Sequence, residues 1–370
     1  MKKRYIAALI CLVLALVCLA AAIIIKTSGT DIDESVSSDE SSVLNTDISS
    51  LGSRAGEESS SSQPQPEAEP TVPDNIRYDS KKREMLYDVD PIVRYYFNDS
   101  SVVLTEKQQE YLEKAKEVLA EITTDDMSNY EKELAIHDHL ILNNSYDYEH
   151  LSPITLEEDD DSSSPYGVLI NGNSVCKGYA VTFELLCKMC GIDCMSLVKL
   201  KDGVIDHAYN CVQLDGSWYY VDVTWDDNKY TDSFDQISHR YFNLTDRQFK
   251  YNHWLGDDAP VSDSYKYCYA ANNYIQIGSV EDFANTVSEY FDNGNTSPIV
   301  TKFDKESGVE LKMHNNDEDT DAVFGPGDDE IELYRIVHTL DKSCDLIKIK
   351  CNDDIFIITE LRIDDDEEQE

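Results

Sequence analysis

Asn173–Thr182 reads N-S-V-C-K-G-Y-A-V-T, and His207–Asp222 reads H-A-Y-N-C-V-Q-L-D-G-S-W-Y-Y-V-D. A thiol followed by an imidazole and a carboxylate on separate elements is the equipment of a cysteine nucleophile, its base and the group that orients the base. In such chemistry sulfur attacks an acyl carbon and the imidazole carries the proton between thiol and leaving group. The carboxylate fixes the imidazole tautomer and stabilises the imidazolium. Gly178, two residues beyond Cys176, leaves room for a substrate or a neighbouring backbone to come close.

The elements that must position these groups follow from local pattern. A helix is predicted from Ser174 to Gly191, whose glycine suits the left-handed position at a helix C-terminus. Cys176 then lies in the first turn, where backbone N–H groups and the positive end of the helix dipole favour a negatively charged sulfur. Strands are predicted at Met195–Lys199 and His207–Leu214, and Asp215-Gly216 is a tight-turn signal leading into Trp218–Thr224. With that pair as the turn, Leu214 faces Ser217 and Tyr209 faces Asp222. His207 and Asp222 then project from one face as diagonal neighbours. A three-residue loop would reverse the parity and separate them.

Other titratable residues compete less well. Asp206 points to the opposite face, and Asp226 lies about 13 Å beyond Asp222 at the usual strand rise. His137 and His139 fall on a helix face, and His239 and His253 follow the hairpin, where they could line a cleft but have no evident partner; the structural reading is the stronger for all four. Capping boxes at Thr105-Glu106-Lys107-Gln108 and Ser128-Asn129-Tyr130-Glu131 open two earlier helices. Asp147–Ser164 reads as an acidic loop, and Thr245–Lys250 as a short helix.

The strings S-V-C-K-G-Y-A, H-A-Y-N and W-Y-Y-V-D-V-T-W-D, with Y-F-N-L at Tyr241–Leu244, resemble the transglutaminase-like superfamily of cysteine enzymes over roughly Ser128 to Trp254. The resemblance implies an α+β, papain-like core in which a helix carrying cysteine packs on an antiparallel sheet carrying histidine and aspartate. It implies Cys176 as nucleophile, His207 as base and Asp222 as orienter. It further implies acyl transfer from a glutamine carboxamide or another amide through a thioester, with an amine or water as acceptor and protein or peptide substrates. Crosslinking, deamidation and proteolysis are all open outcomes. No cofactor or metal is expected, and no D-x-[DN]-x-[DN]-G loop with its distal Glu is present. The Cys176 backbone N–H is expected to help hold the oxyanion, with Tyr179 or Tyr209 as guesses for a second donor. A silent adhesion or scaffold module of the same fold and a peptidoglycan-directed amidase are the alternatives.

The rest of the 370-residue chain divides by composition. Residues 1–26 carry an apolar run from Tyr5 to Ile25 behind Lys2-Lys3-Arg4, long enough for a membrane-spanning helix. The leading basic residues hold that end in the cytoplasm and put the body outside the cell. Ala20-Ala21-Ala22 offers a signal-peptide cut site as the rival reading, and apolar Ile23–Ile25 favours the anchor. Residues 27–76 form a disordered Ser/Asp/Glu/Pro-rich stalk, 77–264 the catalytic domain, 265–363 a smaller α+β module, and 364–370 an acidic tail. In the module, Val280–Phe291 reads as a helix. Ile299–Phe303, Val309–Met313, Ile331–Thr339, Leu346–Lys350 and Ile355–Ile363 read as strands. The 31 basic against 73 acidic side chains give a net charge of -42, which argues against nucleic acid and anionic membrane surfaces as partners. Of ten cysteines, seven remain outside the apolar run and Cys176, an odd number that does not make a disulfide scaffold. Cys187, Cys190 and Cys194 read as small buried hydrophobes, because no second ligand pair with zinc spacing follows.

Overall fold

Two capping boxes start the helical layer. Thr105 accepts from the Gln108 backbone while the Gln108 side chain accepts from Thr105 N at 2.9 Å, opening α2 (Glu106–Ile122). Ser128 and Glu131 do the same for α3 (Asn129–Asn143). Before them, α1 (Asp90–Tyr96) starts with Pro91 in its first turn, where a missing N–H costs nothing. The computed structural model describes residues 85–148, 161–201, 204–227, 237–256, 259–313, 321–324, 333 and 344–361. The predicted anchor, stalk and acidic tail lie outside these residues, as does most of the acidic loop. Among the described residues no helix is long and apolar enough to cross a membrane.

The cysteine-bearing helix α4 runs Cys176–Met189, with Gly191 at φ 76° just beyond it. It starts two residues later than predicted. Ser174 does not cap it: its hydroxyl donates to Ser162 O at 2.6 Å. Its backbone pairs in a short parallel ladder between β1 (Ser145–Tyr146) and β2 (Asn173–Ser174). All residues of α4 except Lys188 are buried, so the helix is the central post of the domain.

Against α4 stands an antiparallel sheet of β3 (Cys194–Lys201), β4 (Val204–Leu214) and β5 (Ser217–Val221). Asp215 and Gly216 adopt φ of 50° and 80°, the two positive values of a tight two-residue hairpin turn. Leu214 accordingly pairs with Ser217, and the register runs back to Asn210 opposite Val221. The predicted strand to Thr224 ends early. The Asp222 carboxyl accepts from Trp225 N at 3.0 Å and caps α5 (Val223–Asp226), one turn of helix. Asp226 therefore does not continue outward as extended chain; Asp226 N returns to Asp222 O at 3.1 Å.

One face of this sheet, through Val212, Leu214, Tyr219 and Val221, shares a core with α1 to α4. The other face, through Met195, Tyr209, Cys211 and Tyr220, packs on Val300, Ile347, Ile349, Phe356 and Ile358 of the carboxyl-terminal module. Between them lie α6 (Asp246–Phe249), capped by Thr245, and α7 (Tyr269–Asn272). The module contains β6 (Ile275–Ile277), α8 (Val280–Asp292), β7 (Ile299–Phe303), β8 (Ala322–Phe324), β9 (Cys344–Cys351) and β10 (Asp354–Leu361). Among the described residues these strands form one sheet of order β6-β7-β10-β9-β8, with β6 and β7 parallel and the rest antiparallel. Val309–Met313 is not a strand. Gly308 at φ 73° breaks the chain after a turn, and Val309 and Leu311 pack beside the α8 core without pairing. Of the predicted strand Ile331–Thr339 only Leu333 is described, and it is buried.

Candidate active site

β5 ends opposite Asn210, so β4 continues three residues beyond its neighbour to His207. The exposed edge left there admits the first residue of α4. Cys176 packs with Ala180, Val198 and Ala208, and its thiol hydrogen-bonds the His207 imidazole. On the other side of the ring, His207 Nε2 lies 2.6 Å from Asp222 Oδ2. Nε2 is thus taken by the carboxylate, which leaves Nδ1 for sulfur. Cys176, His207 and Asp222 are 8%, 9% and 0% exposed, so the chain of hydrogen bonds is screened from bulk water.

Burial disfavours a charged His207, but the Asp222 charge and the hydrogen bonds from Asp222 and Cys176 outweigh it and push the imidazole up to about 10. Burial likewise works against a charged Asp222. The His207 charge and the hydrogen bonds of His207 and His253 overcome it, holding the carboxyl well below its ordinary range. His253, read from sequence as structural, is part of this arrangement: its Nε2 lies 2.7 Å from Asp222 Oδ2. Burial lowers the His253 imidazole despite the carboxylate beside it. A neutral ring donating to Asp222 is the result, stacked on Phe249 with ring centroids 3.8 Å apart and tilted at 45° to Trp225 at 4.2 Å. Nothing in the spacing of His253, 31 residues after Asp222, signals this contact.

The guessed oxyanion donors are corrected. Tyr179 OH donates to Asp227 at 2.6 Å, and Tyr209 OH donates to Trp254 O at 3.0 Å, so both hydroxyl protons are committed elsewhere. Tyr146 is the hydroxyl that lies beside Cys176. The β1–β2 ladder sets Tyr146 beside Ser174, and its hydroxyl meets both the backbone N–H and the thiol of Cys176. Burial and the Cys176 sulfur push this phenol well above its ordinary value. Gly178 proves to serve a neighbouring backbone: a Cβ there would press into Ser174 Oγ and lie 2.7 Å from Ser162 O.

A cleft of about 330 Å³ opens on His207, lined by Tyr146, Tyr148, Thr224, Trp225, Asp227, Arg240 and Tyr241. Arg240 reaches back to Glu360 of β10 at 3.2 Å, so the carboxyl-terminal module braces the cleft wall. Beneath the cleft, His137 lies fully buried between Asp226 (3.2 Å) and Asp138 (3.0 Å), and His239 meets Asp138 at 2.8 Å. The carboxylates outweigh burial and push His137 up to about 9. His137, Asp138 and His239, and separately His207, Asp222 and His253, are donor sets spaced closely enough for a metal ion. In both, the donors already satisfy one another by hydrogen bonds.

Residues 116–223 match the model of the transglutaminase-like superfamily, and that span contains Cys176, His207 and Asp222. The kyphoscoliosis peptidases of Homo sapiens and Mus musculus are 34% and 32% identical over 80 residues. Each match covers 19% of this chain and 12% of the relative's length. Among solved structures, one described as a TGase aligns at a TM-score of 0.29 and 18% identity, covering 39% of this chain and 44% of that one. A structure described as a putative protease from Parabacteroides distasonis aligns at 0.24 and 12% identity, covering 71% and 53%.

Proposed function

From a chain whose residues 116–223 belong to the transglutaminase-like superfamily, we propose a cysteine enzyme that breaks or exchanges amide bonds of proteins or peptides through a thioester on Cys176. The observation that carries this reading is the His207 ring, held between the Cys176 thiol and the Asp222 carboxylate. The thiol proton passes to His207, and sulfur attacks the amide carbonyl carbon. The oxygen that becomes negative takes the Cys176 N–H, which in the free protein is directed at the Tyr146 hydroxyl. His207 then gives its proton to the leaving nitrogen, which departs as ammonia or an amine. Asp222 keeps the imidazolium oriented throughout. Water or a second amine next attacks the thioester, gives its proton to His207, and releases the acyl product and the thiol.

An imidazole whose proton affinity is raised by Asp222 draws the proton from the thiol and holds it, as the pair's shared proton, for the leaving nitrogen. The cleft of about 330 Å³ beside it takes a side chain or a short peptide segment. The amino-terminal apolar run behind Lys2-Lys3-Arg4 supports a reading in which this chemistry takes place outside the cytoplasm, on the membrane surface or secreted. The test is to offer the purified protein glutamine-containing peptides with and without a primary amine, reading ammonia release, crosslink mass and cleavage separately. Wild type is expected to exceed Cys176→Ala in at least one readout. Identical traces in all three would remove the enzyme reading in favour of a silent module.

A further inference from the structure

Cys268 and Cys351 are 83 residues apart in sequence, yet their sulfur atoms lie 3.3 Å from each other. Cys268 precedes α7, and Cys351 is the last residue of β9, so the contact spans the seam between the catalytic sheet and the carboxyl-terminal module. We propose that these two residues are a disulfide site that staples the module to the core by exchange with a low-molecular-weight disulfide such as glutathione disulfide. This inference stands independently of the catalytic reading.

The geometry is close to bonded. A disulfide needs its sulfur atoms about 2.05 Å apart, so roughly 1.2 Å of approach closes the bond, within reach of side-chain rotation. Both thiols are buried, at 0% and 3% exposure, so no water has to be displaced between them. Gln248 on α6 holds the pair in place. Its Nε2 lies 3.7 Å from Cys268 Sγ and 3.3 Å from Cys351 Sγ, and donates to Lys350 O at 2.9 Å. The two sulfurs also differ in character. Hydrogen bonds from Cys351, from the Ala271 and Ala270 backbone and from Gln248 lower Cys268 against its burial. The bond to Cys268 and burial raise Cys351. Cys187 and Cys194 also share a hydrogen bond, which raises Cys187 and lowers Cys194, but burial dominates and leaves both raised.

The chemistry balances in two steps. Cys268 thiolate attacks one sulfur of glutathione disulfide, and one glutathione leaves as thiolate with the electron pair and takes up a proton. Cys351 then loses its proton to solvent, and its sulfur attacks Cys268 Sγ in the mixed disulfide, releasing the second glutathione. Two protein thiols are oxidised, and one glutathione disulfide is reduced to two thiols. Because packed strands cover both sulfurs in the folded chain, the exchange runs during folding, before β9 docks; the folded-state contrast between the sulfurs is then not yet in place, and the same two steps balance with Cys351 attacking first.

The test is refolding of the reduced, denatured full chain in excess glutathione disulfide, then alkylation of free thiols and non-reducing peptide mapping. The expected result is a single peptide pair joined through Cys268 and Cys351, lost in Cys351→Ser and retained in Cys187→Ser. Relative to the reduced protein, the oxidised protein is expected to melt higher and to slow hydrogen exchange in residues 246–256, which Gln248 couples to the pair. Fully alkylated Cys268 and Cys351 in wild type would overturn the proposal, as would linkage of either to another cysteine. The wild-type map decides the matter even if a variant fails to fold.

Discussion

Replacing Asp222 by Asn tests the electrostatic logic of the site with little change of shape. Asn keeps an oxygen to accept from Trp225 N, so the cap of α5 is retained. It removes the negative charge 2.6 Å from His207 Nε2. With delocalised charge centres about 4 Å apart, an effective dielectric of 20 assigns that attraction about 4 kcal/mol. At about 1.36 kcal/mol per pH unit, His207 should fall from about 10 to roughly 7. The sign for stability follows. A raised imidazole stabilises the fold fully below its unfolded value of 6.5, and that contribution is lost as pH rises through about 10. The wild type should therefore lose this share between neutrality and pH 10, while the variant has already lost it near pH 7. Below pH 6 the difference in stability should approach, without reaching, the full attraction, because burying a neutral amide costs less than burying a carboxylate. The assay is an NMR titration of the His207 ring in both proteins, with denaturant unfolding at pH 6 and pH 9.5. Turnover of any substrate found should fall by about a thousandfold or more, since the tautomer is no longer set. Indistinguishable His207 titrations in the two proteins would refute the argument.

Three further changes probe the neighbourhood. His253→Phe removes one of three donors on the buried Asp222 carboxylate and should lower kcat about tenfold with little change in KM, with His253→Gln recovering part of the loss; equal kcat in all three would mean that His253 only fills space. Gly178→Ala forces a Cβ against Ser174 and the Ser162 carbonyl, and should destabilise the fold by about 3 kcal/mol in denaturant melts. Burial raises Glu133 to about 8, so folding holds a proton there that the unfolded chain releases above about 4.5, and stability falls as pH rises between the two. Glu133→Gln keeps an acceptor for Asn243 and should flatten that decline, matching wild type near pH 4 and exceeding it at pH 9.

Much of the scaffold is written in short-range chemistry. The capping boxes at Thr105 and Ser128 start their helices because the partners lie three residues apart. The Asp215-Gly216 pair sets the hairpin parity, because both residues tolerate positive φ and a two-residue turn allows one register. From that parity alone His207 and Asp222 fall on a common face. What sequence could not supply are contacts whose partners are distant along the chain. Asp222 reads as a strand residue, yet its carboxyl caps a helical turn that folds Asp226 back beneath the cleft toward His137, 89 residues earlier. His253 and Tyr146 reach the site only through the packing of α6 and the β1–β2 ladder. The meeting of Cys268 and Cys351 waits for the module to dock on the catalytic sheet. Turn and cap preferences act over three or four residues and survive in a linear string. The groups that surround a buried charge are chosen by burial itself, which exists only once the layers have closed.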